Sequence, residues 1–256
     1  MKHGSGVDSG GKAAPVVLRA VTKIYRRPGF IRSRESRGVE GLNLEVFPGE
    51  AFGLLGLNGS GKTTTFKLIL GLIRPTHGEA AVFSQTPGSL GVCARVGYLP
   101  ELPCFPAFAT TEECLRFYGL LSGLASGALE QKITDTLVDV GLAAARKTRI
   151  KEMSKGMVQR LGLAQAILHE PDLLVLDEPS SGLDPLAIKD IRDLLAGLRD
   201  KGKTLLISSH GISEVEKLCD RVGIMKEGRL IRLLEQKDWR NSPGGLEGLF
   251  VETVRP

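Results

Sequence analysis

Cysteine is scarce: the 256 residues hold four, Cys93, Cys104, Cys114 and Cys219. None forms a CxxC pair and none stands at a ligand spacing from a histidine, which argues against a zinc framework and a disulfide-stapled fold. Reduced thiols are the expectation. Long apolar runs are missing too. Nowhere do eighteen apolar residues follow one another, so the chain is not expected to cross a membrane by itself. The opening MKHGSGVDSGGKAAP has no apolar core, so no signal peptide is expected there, and residues 1–15 read as a disordered tail. No heptad run or internal repeat appears, which excludes coiled coils and solenoids. An excess of acid is also absent: 34 Lys and Arg against 29 Asp and Glu leave a net charge of +5. So small a basic excess suits an ordinary surface better than it suits nucleic acid or an anionic membrane.

What is present is a 42% hydrophobic chain, enough to bury a sizeable core, with strands and helices in alternation. VVLRAVTKIY reads as a strand, RRPGFIRSRESRG as a basic loop or hairpin tip, and GLNLEVFPGE as a second strand with a turn. AFGLLG is a short apolar strand running into a glycine-rich loop and the helix KTTTFKLILGL, after which RPTHGEAAVF adds a turn and a strand. From about Thr110 to Ala166 the pattern is helical, opened by a capping box of Thr110 and Glu113. LLVLDEP is a buried strand, DPLAIKDIRDLLAGLRDKG a helix, TLLISSH a strand and ISEVEKLCD a helix. VGIMKEGRLIRLL is a hairpin turning at Glu227 and Gly228. The fold class expected is α/β, a mostly parallel sheet with an antiparallel β part in front and a helical lobe over about 110–166. The domain spans 16–235, and 236–256 is a short tail in which Trp239, Leu246, Leu249 and Phe250 would pack a small helix on the body.

Chemistry concentrates in three places. GLNGSGKT, Gly56 to Thr63, follows a strand and opens a helix, the setting in which backbone N–H groups cradle phosphates. There Lys62 would pair phosphate oxygens and the Thr63 hydroxyl would meet Mg²⁺; a chance glycine-rich turn is the competing reading. Asp177 and Glu178 close an apolar strand, where two adjacent acids need a cation or substrate to face. Asp177 suits Mg²⁺ and Glu178 suits polarising an attacking water. His210 ends the next strand, and beside a γ-phosphate it would hold that water and Glu178 in register, although a lone histidine at a strand end is commonly structural. Tyr25 is either a core aromatic or a stacking face for adenine. A second helix start, MSKGMVQRLGLAQAI with Ser154 and Gly156 at its head, is a further anion site with no evident anion.

GTPase-type readings fail for want of an NKxD motif. MSKGMVQRLGLAQAI, LLVLDEP, SSGLDP and SSH, in this order after the P-loop, resemble the nucleotide-binding domain of ABC transporters over roughly Val16 to Leu234. The resemblance implies a P-loop NTPase of ABC type. Tyr25 then matches the adenine-stacking aromatic, and Gly56, Asn58, Gly59, Ser60, Gly61, Lys62, Thr63 and Thr64 match Walker A. Asp177 and Glu178 match Walker B and the catalytic base, and His210 matches the switch histidine. Ser154, Lys155, Gly156 and Met157 match the signature, and Ser181, Gly182, Leu183 and Asp184 match the D-loop. It further implies ATP and Mg²⁺, and a homodimer in which each ATP lies between one chain's P-loop and the other's signature. Glu101, in VGYLPEL, stands where the family usually has the Q-loop glutamine, keeping an oxygen for Mg²⁺ or water but losing the amide donors.

The signature reads MSKGM where LSGGQ is common, so Lys155 and Met157 are departures, with Lys155 adding charge to the anion site. YLPE, SKGM followed by QRLGLAQA, and EPSSGLDP together look like the ATPase subunits of type-2 bacterial exporters, which pair with a separately encoded membrane subunit. That implies a peripheral protein on the cytoplasmic face of the cell membrane. Phe30 and Ile31 of the basic insertion 26–38 would face headgroups or the membrane subunit, or simply solvent. Against the exporter stand a soluble ABC-type ATPase acting on ribosomes or nucleic acid, and a regulator with little turnover. Neither a fused second domain nor a long coiled coil supports the first, and Glu178 with His210 opposes the second. No direct nucleic-acid contact is expected, and the cargo is not written in this chain.

Overall fold

The computed structural model describes residues 13–27 and 34–255. Most of the tail read as disordered, and Phe30 and Ile31 of the basic insertion, lie outside the described residues. β1 (Val16–Arg27), β2 (Arg34–Val46) and β4 (His77–Val82) form a three-stranded antiparallel sheet in the order β2-β1-β4. A six-stranded sheet takes the order β5-β6-β7-β3-β8-β9, from β3 (Ala51–Gly56), β5 (Val96–Leu99), β6 (Leu173–Asp177), β7 (Thr204–Ser208), β8 (Arg221–Lys226) and β9 (Arg229–Glu235). Its pairings are parallel except β8 with β9.

β3, β6 and β7 are buried at every position, as parallel strands covered on both faces require. Their period of two divides the core. Ala51, Leu55, Leu174, Leu176, Leu205 and Ile207 face a layer that includes α5 (Lys155–Ile167), α6 (Pro185–Asp200) and α7 (Ile212–Leu218). Phe52, Leu54, Leu173, Val175 and Leu206 face the other way, onto Phe66, Leu68 and Ile69 of α1 (Lys62–Ile69) and Val16, Leu18 and Val21 of the antiparallel sheet.

Two stretches differ from the sequence reading. RESRG is strand rather than loop: β2 begins at Arg34, with Tyr25 opposite Ser36 and Arg26 opposite Glu35. Arg26 and Glu35 also pair across the ladder at 3.0 Å. These residues are polar, so no alternation of burial announces the strand, and main-chain pairing with β1 carries it. VGYL is β5, a four-residue strand beside β6, preceded by the short α2 (Leu90–Cys93); both are too brief to show a period.

The helical region opens as its residues dictate. α3 (Thr111–Leu121) carries the Thr110–Glu113 capping box, and α4 (Ser126–Asp139) packs Leu129, Ile133 and Leu137 inward. α5 runs from this lobe back beneath the sheet. A Cβ added at Gly97 would lie 2.1 Å from Ala166 O, so helix and strand meet at backbone range. The β8–β9 turn falls on Glu227 and Gly228, both with positive φ (50° and 81°), the type I′ geometry that favours glycine. Beyond β9, α8 (Gln236–Arg240) and α9 (Gly245–Val254) bury Trp239 and Leu246 against the main core, with Leu249 and Phe250 half-buried beside them. Trp239→Ala is expected to lower the unfolding free energy by about 3–5 kcal/mol, read as a shifted urea midpoint at constant slope.

Candidate functional site

Because β3, β5, β6 and β7 are parallel, their carboxyl ends meet at one edge of the sheet, the edge at which open α/β sheets bind ligands. A cleft of about 520 Å³ opens there. It is lined by Asn58–Thr64 after β3, Glu101 after β5, Asp177 at the end of β6 with Glu178 next to it, His210 after β7, and Tyr25 and Arg37 from the β1–β2 hairpin.

The loop after β3 is shaped by glycine. A Cβ at Gly56 would lie 2.5 Å from Met225 O, so the loop and β8 approach too closely for a side chain. Gly59 and Gly61 take φ of 78° and 109°, in the left-handed region. α1 then starts with no side-chain cap and no acid in its first turn, leaving its leading N–H groups and the positive dipole end open to an anion. The β8–β9 turn steadies the loop: Gly228 N donates to Ser60 O (2.9 Å), and Gly228 O accepts from Glu40 N (2.8 Å).

Lys62 is buried, and its Nζ donates to Gly56 O at 2.6 Å and Leu57 O at 3.4 Å. Burial pulls its pKa below the ordinary lysine value, while the carboxylates of Glu178, Asp177 and Glu101 oppose that shift. Asp177 accepts a hydrogen bond from Ser208 Oγ. Glu178 is 6% exposed, and burial raises its carboxyl above the usual range against the pull of His210 and Lys62. Its Oε2 accepts from His210 N (3.0 Å); its Oε1 is buried without a hydrogen-bond partner, although His210 Nε2 stands 3.2 Å away. Glu178 also has φ 52°, a left-handed conformation that costs a non-glycine residue about 1–2 kcal/mol.

The residues suit a hard cation. Among the described residues no group of three His, Cys, Asp or Glu could hold a metal alone. The hydroxyl of Thr63 and the carboxylates of Asp177 and Glu101 border one cleft, all of them oxygen donors, which matches an ion that takes its remaining ligands from phosphate and water. The orphaned Oε1 of Glu178 is a further acceptor at the same edge.

A family model described as ABC transporter matches residues 39–181, more than half of the chain. The chain belongs to the ABC transporter family. An ABC transporter ATP-binding protein of Nostoc sp. (strain PCC 7120) is 42% identical over 84% of this chain and 65% of that protein. The bacitracin transport ATP-binding protein BcrA of Bacillus licheniformis is 41% identical over 76% of this chain and 64% of its own length. The chain thus spans less than two thirds of these two relatives. A solved ATP binding subunit of an ABC transporter superposes with a TM-score of 0.82 at 29% identity, covering 94% of this chain and 99% of that one. A dimeric ATP-binding cassette bound to ADP and Pi has the same fold, with a TM-score of 0.79 at 23% identity over 86% of this chain and 98% of its own.

Against this ABC frame the candidate residues fall into two groups. Tyr25, Asn58 to Thr64, Glu101, Asp177, Glu178 and His210 share the cleft. Tyr25 is half-buried on its wall, with its hydroxyl 3.3 Å from Thr64 Oγ1. Gly56 shapes the loop from behind. Ser154, Lys155, Gly156 and Met157, with Ser181, Gly182, Leu183 and Asp184, are not among the residues lining it. Ser154 caps α5, its Oγ accepting from Met157 N (3.2 Å), and Asp184 caps α6, its Oδ1 accepting from Leu186 N and Ala187 N (both 3.0 Å). Lys155 lies over Gly182, where an added Cβ would come 2.6 Å from its Nζ, so its side chain packs on the 181–184 turn of its own chain.

Sequence reading missed Ser208, Gly228 and Gln159. Ser208 stands two residues before His210 and touches both acids, since Glu178 N donates to its Oγ (3.2 Å). The serines of TLLISSH were the available signal. Gly228 and Gln159 act across the fold, and no local pattern marks them.

Proposed function

We propose that the chain is the ATP-hydrolysing subunit of an ABC exporter of the type-2 branch, working as a homodimer on a separately encoded membrane subunit. The observation that carries it is the division of the candidate residues: one cleft holds the P-loop, both acids and His210, while Ser154 opens a second helix outside that cleft. A nucleotide held by the P-loop is completed by Ser154 of a second copy, with an isologous arrangement giving two equivalent sites.

Lys62 has a third ammonium proton for a phosphate oxygen beyond the two given to Gly56 and Leu57. The N–H groups at the start of α1 bind the same phosphates, and Tyr25 offers its ring to the adenine. Thr63 and Asp177, with Glu101 at the rim, would hold Mg²⁺, which supplies neutralisation of charge on the leaving phosphates. Glu178 takes a proton from the attacking water, and its raised pKa makes it a better acceptor than an ordinary carboxylate. His210, whose N–H donates to Glu178 Oε2 and whose Nε2 stands 3.2 Å from Oε1, fixes that water's position.

A partner surface lies on the lobe. Leu102 and Phe108, from the segment that follows Glu101, and Phe117 and Leu121 of α3 are all exposed, Phe108 by 82%. Phe105 packs edge-on against Tyr118 at 5.9 Å, which pins that segment to α3 and keeps the apolar side chains together. No described helix is long and apolar enough to cross a membrane, so a membrane subunit covering this patch would place the chain on the cytoplasmic face of the cell membrane. The purified chain is expected to release phosphate from ATP only with Mg²⁺ present, and, expressed in its native cells, to co-purify with a separately encoded membrane protein. A chain that binds ATP with no turnover under any Mg²⁺ concentration would overturn the reading.

A further inference from the structure

Gln159 is a buried polar side chain to which the site assigns no task. It lies on α5, five residues beyond Ser154, and is 2% exposed. Its Nε2 donates to Glu178 O (3.3 Å) and Pro179 O (3.2 Å), so both amide protons are committed to the turn that carries the base. Glu178 is the residue held at φ 52°, and such a backbone persists only where its surroundings over-determine it. Three groups do so. Ser208 accepts from Glu178 N through its carbonyl and hydroxyl oxygens (3.1 and 3.2 Å), Ser181 N donates to Glu178 O (3.1 Å), and Gln159 supplies the third hold. Ser208 belongs to β7 and Ser181 to the turn itself. Gln159 comes from the helix that Ser154 begins. The first turn of that helix is fixed to the same segment, with Lys155 over Gly182 and a Cβ at Gly156 falling 3.2 Å from Leu183 Cδ2.

We propose that Gln159 is a positioning residue that ties the start of α5 to the Glu178 peptide, so that seating Ser154 on the nucleotide of a second copy sets the Glu178 carboxylate in its own cleft. This rests on the two-chain reading above. The two clefts of a dimer then communicate through one amide in each chain: the α5 that completes one cleft also holds the base of the other. A shift of the base by a fraction of an ångström suffices to matter, because proton abstraction depends steeply on the position of the acceptor.

Gln159→Met keeps the length of the side chain and removes both donors. It is expected to lower kcat by roughly tenfold or more, with KM for ATP and ATP-driven dimerisation on a Glu178→Gln background within about twofold of the parent. Hydrogen exchange at the Ser181 and Leu183 amides should quicken in the nucleotide-free chain. If Gln159→Met folds poorly, Gln159→Glu keeps the shape, turns donors into acceptors facing two carbonyls, and carries the same expectation. A kcat within twofold of wild type together with unchanged exchange would make Gln159 a packing residue and overturn the proposal. If Gln159→Met slows kcat while Ser154→Arg leaves turnover intact, the hold on Glu178 stands and the link to a second copy falls.

Discussion

Glu178→Gln is expected to reduce steady ATP turnover by about 10²–10⁴-fold while leaving ATP binding in place, and to leave an ATP-bound dimer that persists in gel filtration. The amide keeps the acceptor oxygen for His210 N, now 3.0 Å from Oε2, so the local geometry survives. What it loses is the capacity to take a proton. Stability should move the other way. Burial raises the Glu178 carboxyl above the value it has in the unfolded chain, so the folded state binds its proton more tightly. Below the ordinary carboxylate range both states are protonated and the group costs nothing. As pH rises through that range toward the raised value, the unfolded chain ionises first and folding loses free energy. The nucleotide-free variant should therefore match wild type in acid and exceed its Tm at neutral pH. Unchanged turnover would move the base elsewhere; a lowered neutral Tm would show that the His210 and Lys62 charges outweigh burial.

The parts legible in the sequence were those whose physics is local. AFGLLG, LLVLD and TLLIS are continuous apolar runs because each is covered on both faces, and a run of that kind announces a central strand. Thr110 with Glu113, and Glu227 with Gly228, are short-range devices whose geometry is set within four residues. GLNGSGKT and LLVLDE carry their chemistry at strand ends, so the parallel sheet alone suffices to bring them together. The unread parts depend on partners distant in sequence. RESRG becomes strand because β1 offers it a ladder, and its own side chains give no signal of burial. Gly228 is a hairpin glycine by pattern and a support of the phosphate loop by tertiary contact with Ser60. Gln159 reads as one polar residue among several at the head of α5, and its two acceptors lie about twenty residues downstream. Lys155, read as added charge for an anion, turns out to lie against Gly182; that contact could not be seen without the turn that follows Glu178.

The composite site makes a prediction that neither half makes alone. Lys62→Ala removes the ammonium that neutralises phosphate within the cleft, and Ser154→Arg places a bulky cation at a helix start that has no side chain in that cleft. Each homodimer should lose turnover by about a hundredfold or more, the scale of a lost preorganised contact to the reacting phosphate. If every nucleotide needed only its own chain, a mixture of the two variants would be as inactive as either. If the cleft of one chain is completed by Ser154 of another, the mixed dimer regains one intact site, built from the P-loop of the Ser154→Arg chain and the α5 start of the Lys62→Ala chain. Random exchange of chains puts half of them in mixed dimers, each with one working site of two, so turnover should return toward a ceiling of about a quarter of wild type, and stay below it where the Glu178 of the Ser154→Arg chain needs its own α5 seated. Phosphate release measured across mixing ratios should peak at equal amounts and fall toward both ends. Activity that stays at the level of the separate variants at every ratio would show that Ser154 does not reach a neighbouring nucleotide, and the cap that its Oγ gives to Met157 N would then be its whole role.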